Sequence, residues 1–309
     1  MDMNLLARKI ILTIAANKTV VNLVSKHGMK WGAARFVAGS TLAEAVQRVK
    51  ELNSRGIDVT LDHLGESITS KEQAREAVEA CLAILDAIHQ EKLRANLSLK
   101  LTQIGLDIDY DFCLNNMREI LERAQKYNNF VRIDMEDSDH CQITFDLFYT
   151  LLNEYGPERV GIVVQAYLYR TARDVEELIK RKSTIRLCKG AYKEPAEVAY
   201  PSKKDVDANY LKLAKTYLRS GVYFGAATHD EKIIRELMEF VEKEGLRKEQ
   251  FEFQMLYGIR RDLQEELVKK GWRMRVYVPY GKDWYPYFSR RLAERPANLF
   301  FILKNMLKP

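Results

Sequence analysis

The sequence predicts an α/β chain closed into a (β/α)8 TIM-like barrel. Short β-branched or apolar runs alternate with stretches of helical apolar spacing along most of the 309 residues, the pattern of parallel βαβ units. Eight such runs can be counted, which is the number that closes a barrel. No GxGxxG turn follows the first run, which weakens the open doubly wound sheet as an alternative.

The predicted strands cover residues 57–62, 96–101, 130–135, 160–165, 184–189, 222–227, 251–255 and 274–278. They are short and mostly apolar, as expected for strands buried on both faces. Helical spacing recurs between them at 74–88, 112–127, 172–179, 210–218, 233–241 and 263–268. The first 50 or so residues break this rhythm and read as helices. The best patterned, 41–52, places Ala43, Val46, Val49 and Leu52 near one face after a Gly39-Ser40 start. The expected organisation is an N-terminal helical cap over 1–54 and a barrel over 55–309.

At 47% hydrophobic, the chain can build one large core. Its 49 Lys+Arg against 43 Asp+Glu are spread along the sequence without a basic stripe, so no nucleic-acid partner is expected. Four cysteines without a CxxC read as buried free thiols. Five histidines lack HxH or HExxH spacing, so no metal is expected. No apolar run reaches the roughly 18 residues of a membrane span. The patch Ile10 to Ala16 is short and followed by Asn17-Lys18, which suits an amphipathic helix better than a cleaved leader. A cytoplasmic location follows as an expectation.

Barrel active sites lie where the strands end at their C-terminal side. There this sequence places Glu66, Lys100, Asp134, Gln165, Arg186, Lys189, Thr228-His229-Asp230, Gln254 and Tyr277. A charge inside an apolar strand is costly unless it is paired or functional. Lys100, Asp134 and Arg186, read into three different strands, can face one mouth. In Arg186-Leu187-Cys188-Lys189-Gly190-Ala191-Tyr192, a strand with two cations runs into a glycine that lets the backbone approach a ligand. Such a turn suits a phosphate or the edge of a flavin ring. Arg290 and Arg291 lie in a helix that Asp283 can cap, with Pro286 in its first turn. By chemistry alone the pair is either a solvated face or a carboxylate clamp.

These stretches, in their order along the chain, resemble the proline dehydrogenase family over residues 55 to 300. They are Leu64-Gly65-Glu66, Leu99-Lys100, Arg132-Ile133-Asp134-Met135-Glu136, the 186–192 run, Ala227-Thr228-His229-Asp230, Phe253 to Gly258, Arg275 to Gly281, and Arg290 to Glu294. The length is similar to that of the monofunctional bacterial type. The resemblance implies a distorted barrel, FAD as cofactor, and oxidation of L-proline to 1-pyrroline-5-carboxylate. It also implies a membrane quinone as acceptor and allows peripheral contact at the inner membrane face. By the same resemblance Arg290, Arg291 and Lys100 bind the proline carboxylate. Leu256, Tyr277, Tyr192 and Tyr287 wall its ring. Arg186 lies beside the hydride-accepting flavin nitrogen, and Asp134 at the site floor, linked to Lys100. Met135, Gln165, Cys188, Lys189, Gly190, Ala191, Tyr192, Thr228, His229 and Glu294 hold the flavin, and Glu66 gates the pocket. Cys188 stands where relatives often carry Val, at a backbone contact. Two other readings compete: a Schiff-base lyase using Lys100 or Lys189, and a non-catalytic ligand-binding barrel.

Overall fold

The structure is a computed structural model that describes residues 33–65 and 68–294, with side chains from 34 to 289. Eight parallel strands close into a barrel in sequence order. They are β1 (Asp58–His63), β2 (Ala95–Leu99), β3 (Val131–Ile133), β4 (Val160–Gln165), β5 (Ile185–Cys188), β6 (Phe224–Ala227), β7 (Phe251–Leu256) and β8 (Met274–Tyr280). The barrel closes through β1 and β8, where Asp58 to His63 run alongside Arg275 to Tyr280.

Helices α1 (Leu42–Ser54), α2 (Lys71–Gln90), α3 (Tyr110–Lys126), α4 (Ser138–Tyr155), α5 (Thr171–Lys180), α6 (Lys203–Ser220), α7 (Glu231–Lys243), α8 (Arg261–Lys269) and α9 (Trp284–Glu294) surround or follow the strands. Local chemistry sets several of their starts. Thr41 caps α1 in a capping box with Glu44, whose carboxylate accepts from the Ser40 and Thr41 amides. Ser70, Asp109, Asp137 and Asp230 cap α2, α3, α4 and α7. The apolar face of α1, Ala45, Val46, Val49 and Leu52, belongs to the same core as the barrel strands. The helices expected before residue 33 lie outside the described residues. Helix α4 is one that apolar spacing did not single out.

Several strands end earlier than expected. Lys100 and Leu101 lie beyond β2, because the chain turns into a 3-10 helix over Thr102–Ile104. Asp134 and Met135 follow β3, and Lys189 follows β5. Both strand faces are buried, as expected, but only one of them is apolar. One set of alternate residues, including Val59, Leu61, Leu97, Leu99, Phe251 and Phe253, packs in the hydrophobic core. The opposite set, including Thr60, Asp62, Ser98, Arg132, Arg186, Glu252 and Gln254, is buried and polar. Hydrogen bonds among side chains of non-adjacent strands place that set in the barrel lumen. Glycines make room for it: a Cβ on Gly161 would strike the Arg132 guanidinium, and one on Gly225 the Gln254 amide.

A second, smaller cluster of Phe36, Val37, Leu64, Trp284, Tyr287 and Phe288 fastens α9 to the segment before α1. Among the described residues, no helix is long and apolar enough to cross a membrane.

Candidate active site

Asp134 is the hub of the barrel mouth. Its amide donates to the Leu99 carbonyl at 2.8 Å, which holds the residue just past β3. Asp134 Oδ1 accepts from Arg186 Nη1 at 2.7 Å and from the Ser98 hydroxyl at 2.7 Å. Its Oδ2 accepts from the Tyr277 hydroxyl at 2.8 Å. Lys100 Nζ stands 4.0 Å from Asp134 Oδ2 and 4.0 Å from Asp62 Oδ2. The structure thus brings Lys100 and Asp134, just past the ends of β2 and β3, into one network with Arg186 of β5 and Tyr277 of β8.

Burial tends to discharge Lys100, but the carboxylates of Asp62 and Asp134 outweigh it and hold its pKa above the ordinary lysine value. Burial, reinforced by the Asp134 and Asp62 charges, pushes the Tyr277 phenol well up, so it stays a hydrogen-bond donor. The Arg186 guanidinium carbon lies 5.1 Å from the centre of the Tyr277 ring. Its Nε donates to Gln254 Oε1 at 2.7 Å.

Asp62 is the member that sequence reasoning missed. It lies next to the end of β1 on the lumen side and is 1% exposed, and among the described residues neither carboxylate oxygen has a hydrogen-bond partner. The nearby Tyr277 hydroxyl donates to Asp134 instead. Burial raises the Asp62 pKa to about 6, with Lys100 opposing and Asp134 adding to the rise. Parity with Thr60 was the available signal, since Asp62 shares its face.

Around this network lie the other residues expected to bind a ligand. Gln165 is buried at the end of β4; its Nε2 donates to the Glu136 carbonyl at 3.1 Å, while its Oε1 has no partner among the described residues. Met135 is buried just past β3. The buried Thr228 donates its amide to the Gln254 carbonyl at 3.1 Å. His229 Nε2 accepts from the Leu256 amide at 2.9 Å, which fixes its proton on Nδ1 and ties it to the end of β7. Cys188 is half-buried, with its thiol 3.6 Å from the Val164 carbonyl and pushed up to about 12 by burial.

Lys189 pairs with Asp207 at 2.5 Å and Asp230 at 2.9 Å, so its charge is met within the protein. Gly190 has φ 112°, a conformation that favours glycine, and its Cβ side is filled by the Tyr167 ring. The room expected there for a ligand is therefore occupied on that side by Tyr167. Ala191 and Tyr192 are exposed beyond it, and Leu256 is half-buried at the end of β7. Tyr287 lies in the aromatic cluster that fastens α9. Glu66 and the side chains of Arg290, Arg291 and Glu294 lie outside the described residues, although the helix bearing the last three is described. Among the described residues no cluster of His, Cys, Asp and Glu could hold a metal ion.

The family model described as proline dehydrogenase matches residues 45–303. A relative named proline dehydrogenase 1, from Bacillus subtilis (strain 168), is 46% identical over 301 residues, covering 97% of this chain and 99% of that protein. The proline dehydrogenase of Deinococcus radiodurans is 45% identical over 307 residues, covering 98% of each. Among solved structures, proline utilization A from Bdellovibrio bacteriovorus, inactivated by N-propargylglycine, superposes with a TM-score of 0.79 at 29% identity. That match covers 85% of this chain and 32% of the other, so the chain spans about a third of that protein. Proline utilization A from Corynebacterium freiburgense, at 20% identity and a TM-score of 0.78, shares the fold. A family match over most of the length, joined to relatives of the same size at 45 and 46% identity, leads to one conclusion: the chain belongs to the proline dehydrogenase family.

Proposed function

We propose that this barrel mouth oxidises L-proline to 1-pyrroline-5-carboxylate with FAD, and that the electrons pass on to a membrane quinone met by peripheral contact at the cytoplasmic face. The observation that carries the reading is the convergence of Lys100, Arg186, Asp134 and Tyr277 on one buried network. A small amphoteric substrate needs a cation for its carboxylate and an apolar wall for its ring. Lys100, kept charged by two carboxylates, supplies the first together with Arg290 and Arg291. Tyr277, Leu256, Tyr192 and Tyr287 supply the second, and Glu66 closes over them.

Bound FAD supplies a two-electron acceptor. The residues at hand suit it: the buried Gln165 Oε1, without a partner among the described residues, is free to accept from a ligand, and the Lys189-Gly190 turn lies beside it across β4 and β5. Met135, Cys188, Ala191, Tyr192, Thr228, His229 and Glu294 complete the flavin site. When hydride leaves the ring carbon beside nitrogen, an iminium remains, so proline must react with its amine neutral. The cation clamp orients that carbon, which is catalysis by positioning. Arg186 stabilises negative charge that develops on the cofactor side, and Asp134 fixes Arg186 and the Tyr277 hydroxyl in place. Schiff-base chemistry would need a neutral lysine, whereas Lys100 is held protonated and Lys189 is ion-paired.

Purified protein tested with L-proline and a soluble quinone analogue decides the matter. A yellow protein with proline-dependent quinone reduction is expected. A colourless protein that borohydride traps with a carbonyl substrate would overturn the assignment.

A further inference from the structure

A hydrogen-bonded chain runs up the lumen from the lower part of the barrel to the mouth. Arg275 Nη1 donates to the Val59 carbonyl at 2.7 Å, anchoring it to β1. Its Nε donates to Glu252 Oε1 at 2.6 Å, and Gln254 Nε2 donates to the same oxygen at 2.7 Å. Gln254 Oε1 accepts from Arg186 Nε at 2.7 Å, and Arg186 Nη1 then meets Asp134 at 2.7 Å. Glu252, Gln254 and Arg186 are 2%, 6% and 7% exposed, so water competes little for these bonds.

The direction of the chain follows from donor chemistry. A primary amide can be turned either way, but a carboxylate only accepts. The acceptor-only Glu252 below and the donor-only Arg186 above therefore agree on one setting of the Gln254 amide, with its NH2 facing down and its oxygen facing Arg186. A Cβ on Gly225 of the neighbouring strand would strike that amide, so the glycine is the gap in which it lies. Burial raises the Glu252 pKa, but Arg275 more than offsets this and holds the carboxyl below its ordinary value, in the acceptor-only form.

We propose that Glu252, acting through the Gln254 amide, is a positioning residue for Arg186. It sets the guanidinium plane from below while Asp134 sets it from above. The role in the reaction rests on the reading of Arg186 as a group acting at the flavin; the chain of bonds itself does not.

Two variants test this in the full-length protein with whatever cofactor it carries. Glu252→Gln keeps the shape but removes the acceptor-only constraint. Gln254→Met removes both amide bonds while leaving the Glu252–Arg275 and Arg186–Asp134 pairs, and it keeps the test decisive if the first variant folds poorly. Solvent exchange of the Arg186 Nε–H, followed by NMR on 15N-arginine-labelled protein and assigned with Arg186→Lys, should accelerate at least about tenfold in each, the lower end of the scale for a lost hydrogen bond to a charged group. With proline, kcat should fall about tenfold while KM moves less than about threefold, and the midpoint potential of bound flavin should fall. The double variant should match Gln254→Met alone, since Glu252 acts through that amide.

Unchanged exchange in both variants would overturn the proposal. So would faster exchange with kcat and potential unmoved, which would make the chain structural only. A protein without flavin or proline activity would instead overturn the functional reading, and the exchange measurement would still decide whether Glu252 sets Arg186.

Discussion

Asp62 gives the account its most exposed quantitative consequence. The carboxyl is buried and unpartnered by hydrogen bonds among the described residues, and its pKa rises from 3.8 to about 6. That rise corresponds to about 3 kcal/mol of preference for the protonated form in the fold. The sign follows from linkage. Near pH 4 and below, the carboxyl is protonated in the fold and costs nothing extra. Between about pH 4 and 6 the unfolded chain ionises while the folded carboxyl resists, so this group lowers stability as pH rises. Above about pH 6 the penalty is fully present. Asn has the shape of the protonated acid and cannot ionise. Asp62→Asn should therefore match the wild type near pH 4 and exceed it in stability by up to about 3 kcal/mol near pH 8. Urea unfolding of both proteins across that range, with cofactor content held equal, measures the difference. A difference that does not grow with pH, or a variant less stable near pH 8, would refute the claim that burial dominates at Asp62.

Tyr277→Phe removes the 2.8 Å hydrogen bond to Asp134 and should lower kcat/KM for proline by about 1.5–3 kcal/mol, the range for a bond to a charged group; an unchanged value would remove the hydroxyl from the mechanism. Arg290→Ala and Arg291→Ala should each weaken proline capture by at least ~2 kcal/mol in kcat/KM, and no loss in either would rule out the carboxylate clamp. His140 is opposed by burial but held by Asp137 and Asp107, which raise its pKa from 6.5 to about 9. Its contribution to stability is thus full below about pH 6.5 and lost as pH rises through about 9. Thermal unfolding should show a decline over that window in the wild type that is missing in His140→Gln; equal slopes would exclude the histidine.

The barrel was legible because a parallel barrel writes its strands and helices as two different periods. Strand ends were less so. Lys100, Asp134 and Lys189 were read into strands because residue type continues across them. After β2 the chain turns at once into the 3-10 helix at Thr102–Ile104, which residue type alone does not show. Helix α4 escaped the pattern, although Phe145, Leu147, Phe148, Leu151 and Leu152 are all buried; its stripe is broad rather than narrow.

The site was legible where the odd residue stood out, as with Arg186. It was illegible where polarity looked like ordinary alternation. In Phe251-Glu252-Phe253-Gln254-Met255 and Met274-Arg275-Val276-Tyr277-Val278, Gln254 and Tyr277 stood out as mouth residues, while Glu252 and Arg275 passed as ordinary alternation. In a closed barrel wrapped by helices, neither face is wet, so the alternate polar residues must satisfy one another in the lumen. That inference requires the barrel to be known first, and it is how Asp62, Glu252 and Arg275 join the lumen network.

Anaerobic titration of the purified protein with L-proline, following the flavin absorbance, meets the central claim head-on. If the Lys100–Asp134–Arg186 mouth holds proline against bound FAD, the yellow band bleaches progressively as proline is added and returns when a quinone is supplied. A bound flavin whose spectrum stays oxidised at saturating proline would contradict the account.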